Sequence, residues 1–551
     1  MPEPENAVPE NAVPEDAVPE DAVPEDAVPE NAVPGDTVPE TAPRDTAPPA
    51  PAAAAWNDEP EDIETAPEPR PGGSRLRTAG LVTARIGTGV IVLAAVAATI
   101  AASLLPLPSI HRSALHTTIT PVPTAQQLVC PGGLLRLASA SGKGATTAST
   151  LGPGAVTSGS TSGSVTQKAF ARSDAATNGS AAAPQLLTTV APPSGTQSLI
   201  AGGQSESIST AEFFGMSSAA CGSPAGDVWL SGGATSVGRT TLLLLANPTD
   251  VTATVTLQIF GENGAVRAPG MGGITVEAQG QRILSLAGFA PGLASPVVHV
   301  VSSGGQIAAS LEQSTVRGIE PGGIDFVGIQ AQPSTKVVIP GVVLSGTATV
   351  QSRLGQTGFD DLQTTLRIYT PSSKSGTVQV SVVPENGKSP GAAIHADVAP
   401  GAVTDLPLDS LSDGSYSFVV TGSVPLVASV RVSTAGSVAV ANRTDFAWLT
   451  AAPLLSSPAL VAVAPAMTAI HLENPTAKSE RVTLHALGGA DIVATVPANS
   501  AVSVAVVPGT SYQLSGYSGL YAAVTGVSDG GVTGYVVSPS ERGSSPLRIY
   551  N

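Results

Sequence analysis

Three patterns of apolar and polar positions divide this chain. In the first, apolar and polar residues alternate strictly. Ala253, Val255, Leu257 and Ile259 interleave with Thr254, Thr256 and Gln258, and Val378, Val380 and Val382 with Thr377, Gln379 and Ser381. Val482, Leu484 and Ala486 do the same with Arg481, Thr483 and His485. A period of two places one face of a strand in a core and the other in water, the habit of antiparallel sheets. In the second pattern alternation gives way to continuity: residues 86–105, IGTGVIVLAAVAATIAASLL, carry no formal charge. As a helix that run spans roughly 30 Å, the thickness of a bilayer's hydrocarbon core. In the third, over residues 1–73, there is no apolar period at all, only a decaying pentapeptide, NAVPE to DAVPE to DTVPE.

Each alternating segment belongs to a larger repeat. LLLLANPTDVTATVTLQIFGENG from Leu242 is echoed by TLRIYTPSSKSGTVQVSVVPENG from Thr365 and by AIHLENPTAKSERVTLHALGGAD from Ala469. Asn247-Pro248, Thr370-Pro371 and Asn474-Pro475 mark strand ends, where Asn or Thr bonds its own backbone and Pro stops the ladder. Flanking pieces repeat too, including DVWLSGG, KVVIPGV and ALVAVAPAM. The expectation is a mainly β protein with tandem antiparallel β-sandwich (Ig-like) units over residues 226–333, 334–456 and 457–540. A tail, 541–551, follows.

The apolar run predicts a single transmembrane helix within residues 81–105. Arg70, Arg75, Arg77 and Arg85 precede it and only Arg112 follows closely, so the N-terminal arm is expected in the cytoplasm and the body outside. A cleaved leader is the competing interpretation. The run is longer than the usual leader core, and some 70 residues of non-leader sequence come before it. The spacing of Ala94, Ala98 and Ala102 is a small-residue stripe, in a chain rich in alanine throughout.

Charge refines the picture of the arm. The net charge is −17, and residues 1–70 alone hold nineteen acids against Arg44 and Arg70, which leaves the remainder neutral. A proline every fifth residue blocks helix and sheet, and the acids repel, so residues 1–73 read as a disordered, extended arm. A neutral body gives no electrostatic reason to expect nucleic acid, for which a basic patch would be needed. Charged residues make up only 12% of the chain and aromatics 3%, which requires cores of Val, Ala, Leu and Ile. Residues 112–225 are expected to form a juxtamembrane β and low-complexity region. Its ends carry the two cysteines, Cys130 and Cys221, which outside a membrane would pair. Between Ser139 and Thr196 the composition falls to Ser, Thr, Gly and Ala, with no face to bury. The sequons at Asn178 and Asn442 are read as chance.

A single anchor, an early CPGG strand, the CGSPAGDVWLSGG segment and repeated L-x-x-x-NP strands resemble an uncharacterised cell-envelope protein family of actinobacteria, a domain of unknown function, over about residues 117–540. The resemblance implies an envelope setting and no established activity.

Candidate chemistry is sparse. The six histidines form no ligand pattern, HExxH is absent, and no cofactor or metal set is expected. Gly526-Val527-Ser528-Asp529-Gly530 matches GxSxG, but a strand follows and no histidine lies beyond it, so a hairpin turn is expected. Asp360-Asp361 supplies two of the several oxygens a calcium loop needs, and a solvated turn is the plainer account. Tyr512, Tyr517 and Tyr521, with Trp229 and Trp448, are candidates for glycan contact or, in so aromatic-poor a chain, for core anchors. Three functions are thus in play: a non-catalytic scaffold contacting envelope proteins or wall polymer, a carbohydrate-binding module, and, on one poor motif, a serine hydrolase.

Overall fold

The computed structural model describes residues 92–98, 116–119, 124–137, 148–169, 171–172, 175–176, 182–191, 198–387, 392–408, 410–440, 443–539 and 547–550. The chain divides into two compact units, Met1–His111 and Arg112–Asn551. In the first, residues 92–98 are helical. Among the described residues no helix is long and apolar enough to cross a membrane, and most of the expected span lies outside them. The acidic arm and the tail over 541–546 also lie outside the described residues.

The second unit is mainly β, and one topology recurs along it. Between residues 227 and 327, Asp227–Ser231 pairs with Val297–Ser303, which pairs with Ala253–Gly261, which pairs with Ile274–Val276. The facing sheet runs Gly280–Ser285, Arg239–Asn247, Ala308–Arg317, Glu320–Val327. Between 334 and 450 the same order returns, Ser334–Leu344 and Gly376–Pro384 flanking the first half of Gly414–Ala435 and Thr365–Tyr369 and Thr444–Thr450 flanking its second half. That strand of 22 residues serves both sheets in turn, as strands at the corners of packed sheets do. Between 459 and 536 Ala459–Ala462, Ser511–Ser515, Glu480–Ala486 and Ile492–Val496 form one sheet. Ser500–Ala505, Ala469–Asn474, Tyr521–Ser528 and Gly531–Val536 form the other.

A fourth copy precedes these three, in the region expected to be of low complexity. Gln127–Cys130, Gln185–Thr189 and Val165–Ala169 make one sheet, and Ala155–Ser160, Ile200–Ser209 and Phe214–Ala220 the other, in equivalent order. The expectation that nothing between Ser139 and Thr196 forms a buried face therefore fails. Ala155–Ser160 and Val165–Ala169 are edge strands of mostly small residues, whereas Gln185–Thr189 is a central strand whose Leu187 packs with Cys130, Ile200 and Cys221, three residues from outside the stretch. The copies are called units I (127–220), II (227–327), III (334–450) and IV (459–536).

The apolar alternation of the third strand in units II, III and IV points inward as its period requires: Ala253, Val255, Leu257 and Ile259 are all in the core of unit II. The last strand of each unit is different, being buried on both faces, as in Thr444–Thr450 and Gly531–Val536. Alternate side chains of these strands enter different cores. Ala447 and Leu449 fill unit III, whereas Phe446 and Trp448 fill unit II. Ile324 and Phe326 of unit II, with Leu242, Leu244 and Ile283, share a cluster with Ile208, Phe213 and Ala219 of unit I; Val532 of unit IV enters the core of unit III, and Ala220 of unit I packs against unit IV. Each unit thus lends side chains to the one before it, and unit I closes the circle by lending to unit IV. Beyond the circle, His116–Ile119 pairs antiparallel with Leu547–Tyr550, joining the two ends of the body.

Candidate functional site: the axial junction and cavity

The four last strands pack against one another, and Ser217, Asp325, Asp445 and Thr533 lie among them. A polar network joins them. The amide of Met216 donates to Asp445 Oδ2 at 2.9 Å and that of Val532 at 3.1 Å, and the amides of Phe446 and Ile324 also bond the carboxyl. Asp325 accepts from the Trp448 amide at 3.0 Å and the Thr533 hydroxyl at 3.1 Å. Ser218 and Thr533 share a hydroxyl bond of 2.7 Å, and Ser217 accepts from the Phe326 amide at 3.1 Å. Close approach demands small residues: a Cβ on Gly215 or Gly323 would collide with the Asp445 carboxyl. Burial pushes Asp445 up to about 8 despite the four amides, and raises Asp325 well above the usual carboxylate range, with Asp445 adding to the shift.

Where the chain leaves these strands it borders a half-open cavity of about 790 Å³. Segments 218–225, 328–332 and 534–539, together with Thr450 and Pro453, line it, so all four units contribute. Six glutamines (Gln126, Gln127, Gln281, Gln306, Gln330 and Gln332) stand in a wall otherwise built largely from Ala, Val, Leu, Ser and Pro, and Asp227 is the one charged lining residue. The Cys130–Cys221 disulfide ties the first strand of unit I to the residue after its last strand, and Cys221 lines the cavity. The pairing expected from the sequence is present.

Two further constellations join units. Glu385 of unit III bonds His471 Nδ1 at 2.5 Å, and His471 Nε2 bonds the Thr525 hydroxyl at 2.6 Å, a carboxylate–imidazole–hydroxyl relay. All three side chains are buried and none lines the cavity, so the relay acts as a clamp between units III and IV. Nothing in the spacing of Glu385, His471 and Thr525 along the chain announces it. Asp361, offered as one of two calcium ligands, is instead paired with guanidiniums. Arg317 holds it bidentately at 2.9 and 2.7 Å, Arg239 lies 2.9 Å away and Arg431 3.4 Å. Burial alone would raise Asp361, and Arg431 and Arg317 outweigh it and hold the carboxyl below its usual range. Burial pushes Arg431 down to about 10. Among the described residues no cluster of three His, Cys, Asp or Glu could hold a metal ion.

The sequence candidates are scattered. Tyr512 is 2% exposed and its hydroxyl accepts from the Val507 amide; Tyr521 packs against Val338, Ala452 and Val536; half-buried Tyr517 donates to the Ser457 carbonyl at 2.5 Å. Trp229 stacks on His299 with centroids 4.0 Å apart, and Trp448 donates to Gln313 at 2.7 Å with Arg367 over its ring. Ser528 ends a strand whose hairpin partner begins at Gly531, so the sharp strand-to-helix elbow is missing. The cavity escaped sequence reasoning because its wall is assembled from the ends of all four units.

A family model described as a family of unknown function (DUF5719) matches residues 174–515. No curated protein matches the sequence. A solved structure from Thermotoga maritima is similar at 16% identity over 22% of this chain and 95% of its own length, with a TM-score of 0.18, and carries no argument about fold or function.

Proposed function

The chain belongs to that family of unknown function, and from this premise we propose that it is a non-catalytic scaffold or accessory protein of the bacterial cell envelope. In this proposal residues 86–105 anchor it in the membrane with the N-terminal arm in the cytoplasm, and the body stands outside as a closed ring of Ig-like β-sandwiches. The observation that carries it is the ring itself: four units exchange core side chains around one polar junction, giving a rigid multi-faced body. The buried Cys130–Cys221 disulfide supports an oxidising compartment. Envelope proteins or wall polymer are the partners expected at its surface.

In-cell crosslinking of the full-length protein with mass spectrometry, alongside protease shaving of intact cells, tests this. Recovery of a defined envelope protein through residues 124–539, with the arm protected from protease, supports the scaffold. Cleavage of the arm from outside overturns the orientation, and turnover of a wall polymer by the purified protein overturns the non-catalytic role.

A further inference from the structure

We infer that the axial cavity is a binding site for an uncharged, extended peptide segment, with the Gln330 carboxamide as its recognition group. This goes beyond the envelope role and does not depend on it. Gln330 lies on the cavity wall just past the last strand of unit II and is 4% exposed, yet neither its Nε2 nor its Oε1 has a partner among the described residues. Its backbone is fixed, the amide donating to the Trp229 carbonyl at 3.3 Å. A buried carboxamide with both ends open leaves its desolvation uncompensated, so the site favours an occupant that offers an acceptor and a donor side by side. A secondary amide does so, and an extended peptide repeats that pair along its length.

The rest of the wall selects among amide-bearing ligands. The single charged lining residue is Asp227, so an anionic ligand finds no counter-ion, and a cationic one finds only a carboxylate already shared with His299 at 3.1 Å. Apolar Ala309 and Leu460 suit small side chains. A sugar ring would want an open aromatic face, but Trp448 carries Arg367 on its ring and the Tyr535 hydroxyl is taken by the Ala462 carbonyl at 2.6 Å. The volume, about 790 Å³, lies within the roughly 300–1,000 Å³ of ligand-holding cavities.

Calorimetric titration of the full-length chain with N-acetyl-trialanine amide tests the inference, with the N-acetylglucosamine trimer as the competing probe. Saturable peptide binding that weakens tenfold or more in Gln330→Leu, with a melting temperature no lower than the parent's, is the expected result. The unchanged melting temperature separates lost recognition from lost fold. Should that variant fail to fold, Ser310→Phe, which narrows the cavity from another strand, is expected to weaken binding by a similar factor. Absence of peptide binding at millimolar concentration, equal affinity in the folded variants, or tighter binding of the sugar trimer would overturn the assignment.

Discussion

Asn247 and Asn474 do the same work two units apart. Asn247 donates to the carbonyls of Val251 and Val276 at 2.8 and 3.0 Å and accepts from the Thr249 amide and hydroxyl. Asn474 donates to Lys478, Val496 and Pro497 and accepts from Thr476 in the same manner. Each carboxamide ties a strand end to the neighbouring sheet edge, so Asn474→Ala is expected to cost about 2–4 kcal/mol in urea unfolding. The buried acids set the response to pH. Burial pushes Glu473 up to about 7, with Lys336 pulling it back, and Asp445 up to about 8. Each holds its proton in the folded state at a pH where the unfolded chain, with carboxyls near 4, has released it. Stability therefore falls as pH rises from about 4 to about 8. Glu473→Gln is expected to raise the unfolding free energy read from urea titration at pH 8 by about 1–3 kcal/mol, and to leave it nearly unchanged at pH 4.5.

At the scale of the strand, alternation made Ala253–Gly261, Gly376–Pro384 and Glu480–Ala486 and the turns before them legible, because one wet face and one dry face leave a period-two trace. The last strands carry no such trace. Phe446 and Ala447 are equally buried, but in the cores of different units, and a strand covered on both faces reads as a plain apolar run. The fourth copy was hidden for the opposite reason: Ala155–Ser160 and Val165–Ala169 have few apolar side chains and rely on their neighbours. The tyrosines drew attention by their scarcity, and scarcity does not indicate exposure. Phe446→Ala puts the exchange to the test. It is expected to cost about 3–5 kcal/mol, with loss of amide protection extending through residues 227–327 as well as the strand's own unit, as read by hydrogen exchange.

For the whole body, shared cores predict a single calorimetric unfolding transition for residues 124–539, where independent beads would give several. Reducing Cys130–Cys221, which closes a loop of 91 residues, is expected to shift that one transition downward by about 2–5 kcal/mol without splitting it. The exchange of side chains also imposes an order on synthesis. The ribosome delivers unit I first, but its Ile208, Phe213 and Ala219 wait for Ile324 and Phe326; unit II waits for Phe446 and Trp448, and unit III for Val532. Every nascent intermediate therefore ends in a partly filled core, and a chain cut short at any unit boundary presents that gap to proteases and chaperones. Completion of the last strand near Val536 licenses the body as a whole, so the fold itself distinguishes a finished protein from an unfinished one.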